Sequence, residues 1–209
     1  GVDASAFSTA DGWGLRDAVR RRLGVAPTAT LVVAAAGDLA LKGADPLLAG
    51  AARIRRRDIE LLLVSPASPE REWRDRVRRL GLEGRVHYLA AGDDIRPALA
   101  AADVVAGLPE YESFGLTYLE ALAAGVPVIV SGNVGAAEVI RDGRQGLVLE
   151  EDPAPDSVAR ALARLAGDPA ARARMGEHGR ETARNLGWDR MTAAFEKIYK
   201  DVLRTRKKG

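Results

Sequence analysis

Short, almost unbroken apolar runs alternate along this chain with longer amphipathic stretches. Thr30-Leu-Val-Val-Ala-Ala-Ala36, Ile59-Glu-Leu-Leu-Leu-Val64, Arg85-Val-His-Tyr-Leu-Ala90, Asp103-Val-Val-Ala-Gly-Leu108, Val126-Pro-Val-Ile-Val130 and Gln145-Gly-Leu-Val-Leu149 have strand length. Runs this apolar read as strands covered on both faces. Between them helical spacing recurs: Leu15 to Leu23 before Gly24, Pro46 to Arg57 with proline in its first turn, and Pro69 to Leu80 before Gly81. Further helices are predicted over Ile95 to Ala102, from Leu116 to a stop at Gly125, and over Val134 to Arg141. Residues 1–12 read as a loop. Beyond residue 155 the pattern is helical only: a helix capped by Asp156 or Ser157 and running to Ala166, then Pro169 to Asn185, then Trp188 to Arg204. Strands that alternate regularly with helices predict an α/β fold, a doubly wound parallel Rossmann-like sheet with helices on both faces. The last helices form a C-terminal extension.

In such a sheet ligands bind beyond the carboxyl ends of the strands. The loops there begin at Gly37, Ser65, Ala90, Leu108, Ser131 and Glu150. The loop after Leu108 carries Glu112-Ser113-Phe114-Gly115, and Glu120 follows on the helix that Leu116 opens. Strand, loop, helix and strand within about 30 residues form a βαβ unit. The helix start offers unpaired N–H groups near Phe114, Gly115 and Leu116, together with a partial positive charge, so it attracts phosphate. Gly115 lacks a Cβ and lets an anion approach its backbone. Helical rise puts the two carboxylates roughly 8–12 Å apart. A diphosphate over the helix start could thus present a hydroxyl-bearing group to each carboxylate, which describes a nucleotide sugar. Lys42, on the loop after the first strand, faces the same crevice and can neutralise the diphosphate from the other side.

Composition narrows the partners. The 209 residues with 47% hydrophobic content allow one large domain, or one domain with a helical extension. With 31 basic against 29 acidic residues the net charge is +2, too near neutral to argue for nucleic acid, and aromatics are sparse at 5%. Clusters such as Arg20-Arg21-Arg22 and Arg55-Arg56-Arg57 read as solvated faces, with contact to an anionic membrane surface as the alternative. The absence of cysteine excludes disulfides and thiolate chemistry, and two unlinked histidines make no metal site. No run approaches the length of a membrane span. Gly1-Val-Asp3 carries no start Met or signal core and reads as the entry from a longer protein. His87 within its strand reads as structural, and Trp13, Trp73 and Trp188 as packing anchors.

Taken in order, Lys42-Gly43, Arg85-Val86, Ala102-Asp103-Val104, Glu112-Ser-Phe-Gly115, Leu119-Glu120-Ala121, Gly125-Val-Pro-Val128, Gly146-Leu-Val148, Trp188 and Tyr199 form a series. The series resembles the C-terminal, nucleotide-sugar-binding domain of the family 4 retaining glycosyltransferases, whose GT-B fold joins two Rossmann domains. The likeness covers nearly the whole chain, and its motifs are specific in combination, since Glu-x7-Glu alone occurs on any acidic helix.

The resemblance implies roles. Glu120 would receive ribose hydroxyls and Glu112 those of the transferred sugar. The N–H groups of Phe114, Gly115 and Leu116, with Ser113 beside them, would hold the distal phosphate, and Lys42 would stabilise the diphosphate as leaving group. Ala90 and Ala91 would flank the base. The donor would be UDP- or GDP-linked, with no metal or other cofactor. Residues 1–187 would be the nucleotide-sugar domain and 188–209 a helix crossing to an acceptor domain outside this chain. A cytoplasmic location, with peripheral contact at the inner membrane face, is implied as well.

Three departures are visible, one of them Leu108-Pro109 where Pro-Ser is usual before the first Glu. Many relatives place an Arg about five residues before the Lys, where Gly37-Asp38 stand here, and the usual Gly-x-Gly after the second strand reads Ser65-Pro-Ala67. With the spacing around Gly92-Asp-Asp-Ile95, the missing Arg leans toward the lipopolysaccharide-core type. A nucleotide-sugar-binding module without catalysis and a nucleotide-sugar epimerase of the same architecture remain the alternative readings.

Overall fold

The computed structural model describes residues 1–7, 12–34, 37–65, 71–90, 92 and 94–206. Ala91, Pro66-Ala67, Asp93 and the last three residues of the basic tail lie outside the described residues. Six strands form one parallel sheet: β1 (Thr30–Ala34), β2 (Ile59–Ser65), β3 (Val86–Ala90), β4 (Val104–Gly107), β5 (Val128–Ser131) and β6 (Gly146–Leu149). Their spatial order is β3-β2-β1-β4-β5-β6. The order reverses between β1 and β4, and a crevice opens at such a switch point.

Alternate residues of each strand feed two cores. Leu31, Val33, Leu62, Val64, Val105, Val128 and Val130 face one, and Val32, Leu61, Leu63, Val104, Ala106 and Ile129 face the other. Helices α1 (Gly12–Leu23), α4 (Arg96–Ala101) and α5 (Leu116–Ala124) cover the first face. The second is covered by α2 (Ala44–Ala52), α3 (Arg71–Arg79) and α6 (Pro155–Gly167). α7 (Pro169–Asn185) packs on α5 and reaches both cores, through Met175 and Ala183. Every residue of β1 and β2 is buried, as a parallel interior requires, whereas β3 is a half-buried edge. Asp103 pins the end opposite the crevice, accepting from the Leu31 N–H at 2.8 Å and from Arg16 and Arg20 of α1.

Several boundaries differ from the sequence expectation. Residues 1–12 are not all loop: Ala4–Phe7 is a 3-10 turn, and Val2 bridges to Gly187. α2 ends at Ala52 rather than Arg57, because Ile54 must turn inward and Asp58 already pairs with the start of β1. The cap of α6 is Ala154, with Pro155 at the first position, so neither Asp156 nor Ser157 caps it. Residues 134–141 do not form an α-helix, only a 3-10 turn over Gly135–Glu138. Gly135 donates to the Glu112 carbonyl at 3.0 Å and Ala136 to the Phe114 carbonyl at 2.8 Å. The N–H groups at the start of this segment are thus spent on the neighbouring loop.

His87 pairs with the buried Glu60 at 2.6 Å, in keeping with a structural role. The final helix, α8 (Trp188–Arg206), stands largely free: Phe195, Ile198, Tyr199, Val202 and Leu203 are all exposed. Among the described residues no helix is long and apolar enough to cross a membrane.

Candidate functional site

The loops that follow β1 and β4 meet at the switch point. Gly43 adopts a left-handed conformation (φ 76°), and a Cβ there would overlap the carbonyl of Leu108. The two loops are therefore in backbone contact, and Lys42 is delivered to the loop that holds Glu112. Its ammonium donates to Glu112 Oε2, an ion pair spanning 70 positions of sequence. The Lys42 side chain retains 32% of its exposure and that of Glu112 14%, so the pair is half-wet. The stem of Lys42 runs over Gly37, with Cε 3.3 Å from where a Cβ would stand. Gly37, having no side chain, thus leaves the space that Lys42 occupies.

Glu112 is fixed by its backbone. Its N–H donates to the Asn133 carbonyl at 3.2 Å, and its carbonyl accepts from Gly135. The loop after β5 thereby clamps the loop after β4, which is the use made of the shortened 134–141 segment. Gly115 then caps α5 in the left-handed region (φ 86°), with no side chain on its N–H groups. A Cβ at Gly115 would overlap the ring of Tyr118, so this position needs glycine for space as well as for φ. Among the described residues no acceptor meets the N–H groups of Phe114, Gly115, Leu116 or Thr117. These donors and the helix dipole mark a place for an anion.

A cavity of about 680 Å³ covers this helix start. Lys42, Glu112, Ser113, Phe114, Gly115 and Leu116 line it, so six of the nine site residues read from the sequence are brought together. Glu120 is not on its wall, but lies one helical turn beyond Leu116 and Thr117 on the same, less buried stripe of α5. Ala90 ends β3, two strands from β1, which at ordinary strand spacing is about 10 Å away. Ala91 lies outside the described residues.

Thr117, Tyr118, Trp188 and Met191 also line the cavity and were not singled out as site residues. Thr117 and Tyr118 follow the motif directly, in the first turn of the helix that Leu116 opens. Trp188 corrects the expectation of a packing anchor: it is 51% exposed and forms part of the cavity wall at the start of α8.

Glu120 has no hydrogen-bond or ion-pair partner among the described residues, and burial pushes its carboxyl above the usual range. The folded state thus holds this proton more tightly than the unfolded chain does. Its contribution to stability falls as pH rises from the ordinary carboxyl range through the raised folded value. Glu120→Gln should therefore melt above wild type at about pH 7.5, and the gap should close toward about pH 4, where the native carboxyl is neutral too. Identical melting across that range would mean a solvated carboxylate. Among the described residues no three His, Asp or Glu side chains gather as a metal-binding group.

Comparison with known proteins agrees with this layout. The family described as "Glycosyl transferases group 1" matches residues 30–168, from β1 through the end of α6. The D-inositol 3-phosphate glycosyltransferase of Salinispora arenicola (strain CNS-205) is 36% identical over 97% of this chain and 48% of its own length. This chain spans about half the length of the curated relatives it matches. WaaG, a glycosyltransferase involved in lipopolysaccharide biosynthesis, superposes with TM-score 0.72 at 25% identity over 82% of this chain and 47% of that one. Anabaena Alr3699/HepE, solved in complex with UDP and glucose, superposes with TM-score 0.79 at 24% identity, over 100% of this chain and 56% of its own. Matching about half of each solved chain fits one of the two Rossmann domains of a GT-B protein. With the family matched over most of its sheet and the cavity at the switch point, this chain belongs to the glycosyl transferases group 1.

Proposed function

We propose that this chain is the donor-binding half of a retaining glycosyltransferase. The enzyme would move a hexose-type sugar from a nucleoside-diphosphate sugar to a glycan, lipopolysaccharide or lipid acceptor. The observation that carries this reading is the convergence, in one cavity, of unpaired N–H groups at the α5 start with Lys42 and Glu112. The N–H groups of Phe114, Gly115 and Leu116 take the distal phosphate, with Ser113 at the rim. Lys42 binds the diphosphate, and Glu112 receives hydroxyls of the sugar. Glu120, without a partner of its own, takes the ribose, and the base extends across the strand ends toward Ala90 and Ala91.

Charge accumulates on the diphosphate as the glycosidic bond breaks, and donors already in place there lower the barrier most. The acceptor hydroxyl attacks from the face the phosphate leaves, and a phosphate oxygen takes its proton, which retains the anomeric configuration. No metal or covalent intermediate enters this sequence. The acceptor is bound by a second domain to which α8 crosses with its apolar stripe. Such an enzyme works in the cytoplasm, with peripheral contact at the membrane for a lipid acceptor. A second reading, a nucleotide-sugar-binding module without catalysis, draws on Gly37, which supplies no second cation beside Lys42.

Titration calorimetry of this chain with UDP, GDP and ADP tests the reading. Binding of at least one, with Kd roughly 10 μM–1 mM, is expected for half a cleft. No heat from any of the three at saturation would remove the assignment of the site. Transfer activity in a full-length enzyme carrying this domain separates the first reading from the second.

A further inference from the structure

Tyr118 is only 1% exposed, yet it lines the cavity, and its hydroxyl has no hydrogen-bond partner among the described residues. Two glycines make room for it. A Cβ at Gly115 would overlap the ring, and a Cβ at Gly107, the last residue of β4, would overlap the hydroxyl. Buried hydroxyls are nearly always paired, and one without a partner weakens the fold. Phenylalanine would fill the same space without that cost, so the hydroxyl calls for a partner that reaches it in another arrangement of the site.

Glu112 is the candidate. Its Cγ lies 3.2 Å from the Cβ position at Gly115, the same position against which the Tyr118 ring packs. Burial raises the Tyr118 phenol pKa, and the negative charge of Glu112 raises it further. The Glu112 backbone is held at both N–H and carbonyl, so only the side chain is free to turn. Its carboxylate is engaged by Lys42, and a diphosphate at the α5 start carries more charge than one carboxylate and competes for that ammonium.

We propose that Tyr118 is a positioning residue that takes Glu112 over from Lys42 when a diphosphate binds. The inference rests on the donor-binding reading above. Lys42 turns to the phosphates, one Glu112 oxygen accepts from the Tyr118 hydroxyl, and the other is left to accept from the sugar. Phosphate binding thereby readies the sugar subsite, and a free hexose meets a carboxylate already taken. The two ligand parts are coupled through one exchangeable side chain.

The test compares UDP with UDP-glucose, the ligand of a neighbour with the same fold, on wild type and Tyr118→Phe by calorimetry. Wild type should bind UDP-glucose more tightly than UDP, and the variant should lose about tenfold of that preference, the scale of one hydrogen bond to a charged group. Its melting temperature should equal or exceed that of wild type. Carbon-13 NMR of the tyrosine ζ carbons gives a second readout that does not depend on the Phe variant folding. The chain has four tyrosines, so Phe variants of the other three assign Tyr118. Its resonance should move when UDP-glucose is added, and also in Lys42→Gln without ligand, where Glu112 is already released. An unchanged sugar preference in Tyr118→Phe, or a Tyr118 resonance that stays put in Lys42→Gln, overturns the proposal. Failure of wild type to bind any nucleotide removes the donor-binding reading instead, and the ligand-free Lys42→Gln spectrum distinguishes the two.

Discussion

Lys42→Gln is expected to lower kcat of a full-length enzyme carrying this domain by about 10²–10³-fold, the scale of deleting one donor aimed at developing charge. The position argues for so large an effect. Lys42 reaches the cavity from the β1 loop, facing the unpaired N–H groups of α5, and Gly37 supplies no second cation beside it. Stability should move far less. The Lys42–Glu112 pair is half-wet, and such pairs are worth no more than about 1 kcal/mol. The structure adds a control that the sequence did not suggest. Lys42→Gln leaves Glu112 without its cation, so Lys42→Gln/Glu112→Gln should recover the lost stability while turnover stays low. Thermal melts and initial rates on both variants decide it. A Lys42→Gln enzyme with full turnover would reduce Lys42 to an ordinary surface lysine.

Gly43→Ala should be among the most damaging single substitutions in the chain, at about 2–6 kcal/mol from backbone strain and overpacking together. The added Cβ meets the carbonyl carbon and oxygen of Leu108, which are backbone and cannot swing aside as a side chain would. It must also hold a left-handed φ of 76°. Gly81→Ala separates the two contributions. Gly81 has φ 67° with nothing within 4 Å of an added Cβ, so only the conformational cost of about 1–2 kcal/mol applies. Urea midpoints of both variants give the comparison. If Gly43→Ala costs no more than Gly81→Ala, the loops after β1 and β4 are not in backbone contact in solution. A functional consequence follows from the same contact. Pushing the loops apart separates Lys42 from the helix start it faces, so nucleotide affinity should fall in whatever fraction stays folded.

Local pattern determined most of the fold. Thr30 to Ala34 and Ile59 to Ser65 are buried strands because a parallel strand covered on both faces needs apolar residues at every position, and that is visible in a run of five to seven residues. Gly125 ends α5 in the left-handed region, as its place after an amphipathic stretch predicts. The free N–H groups at Phe114 to Leu116 were legible for the same reason, since unpaired donors at a helix start are a local consequence of helix geometry.

What local pattern could not supply was anything decided between segments. The 134–141 stretch has helical spacing, yet its first N–H groups go to the carbonyls of Glu112 and Phe114, and tertiary hydrogen bonds outweigh a short helix that is marginal alone. Trp188 looks like a core residue by type, but the direction of α8 leaves it on the cavity wall. Tyr118 falls on the buried face of α5 by spacing, and only the arrangement of Gly107 and Gly115 shows that its hydroxyl is packed at the end of β4 without a partner among the described residues. The sequence placed Lys42 and Glu112 in one crevice. That they neutralise each other depends on the backbone contact of Gly43 with Leu108, made across two strands that are neighbours only because the sheet reverses its order there.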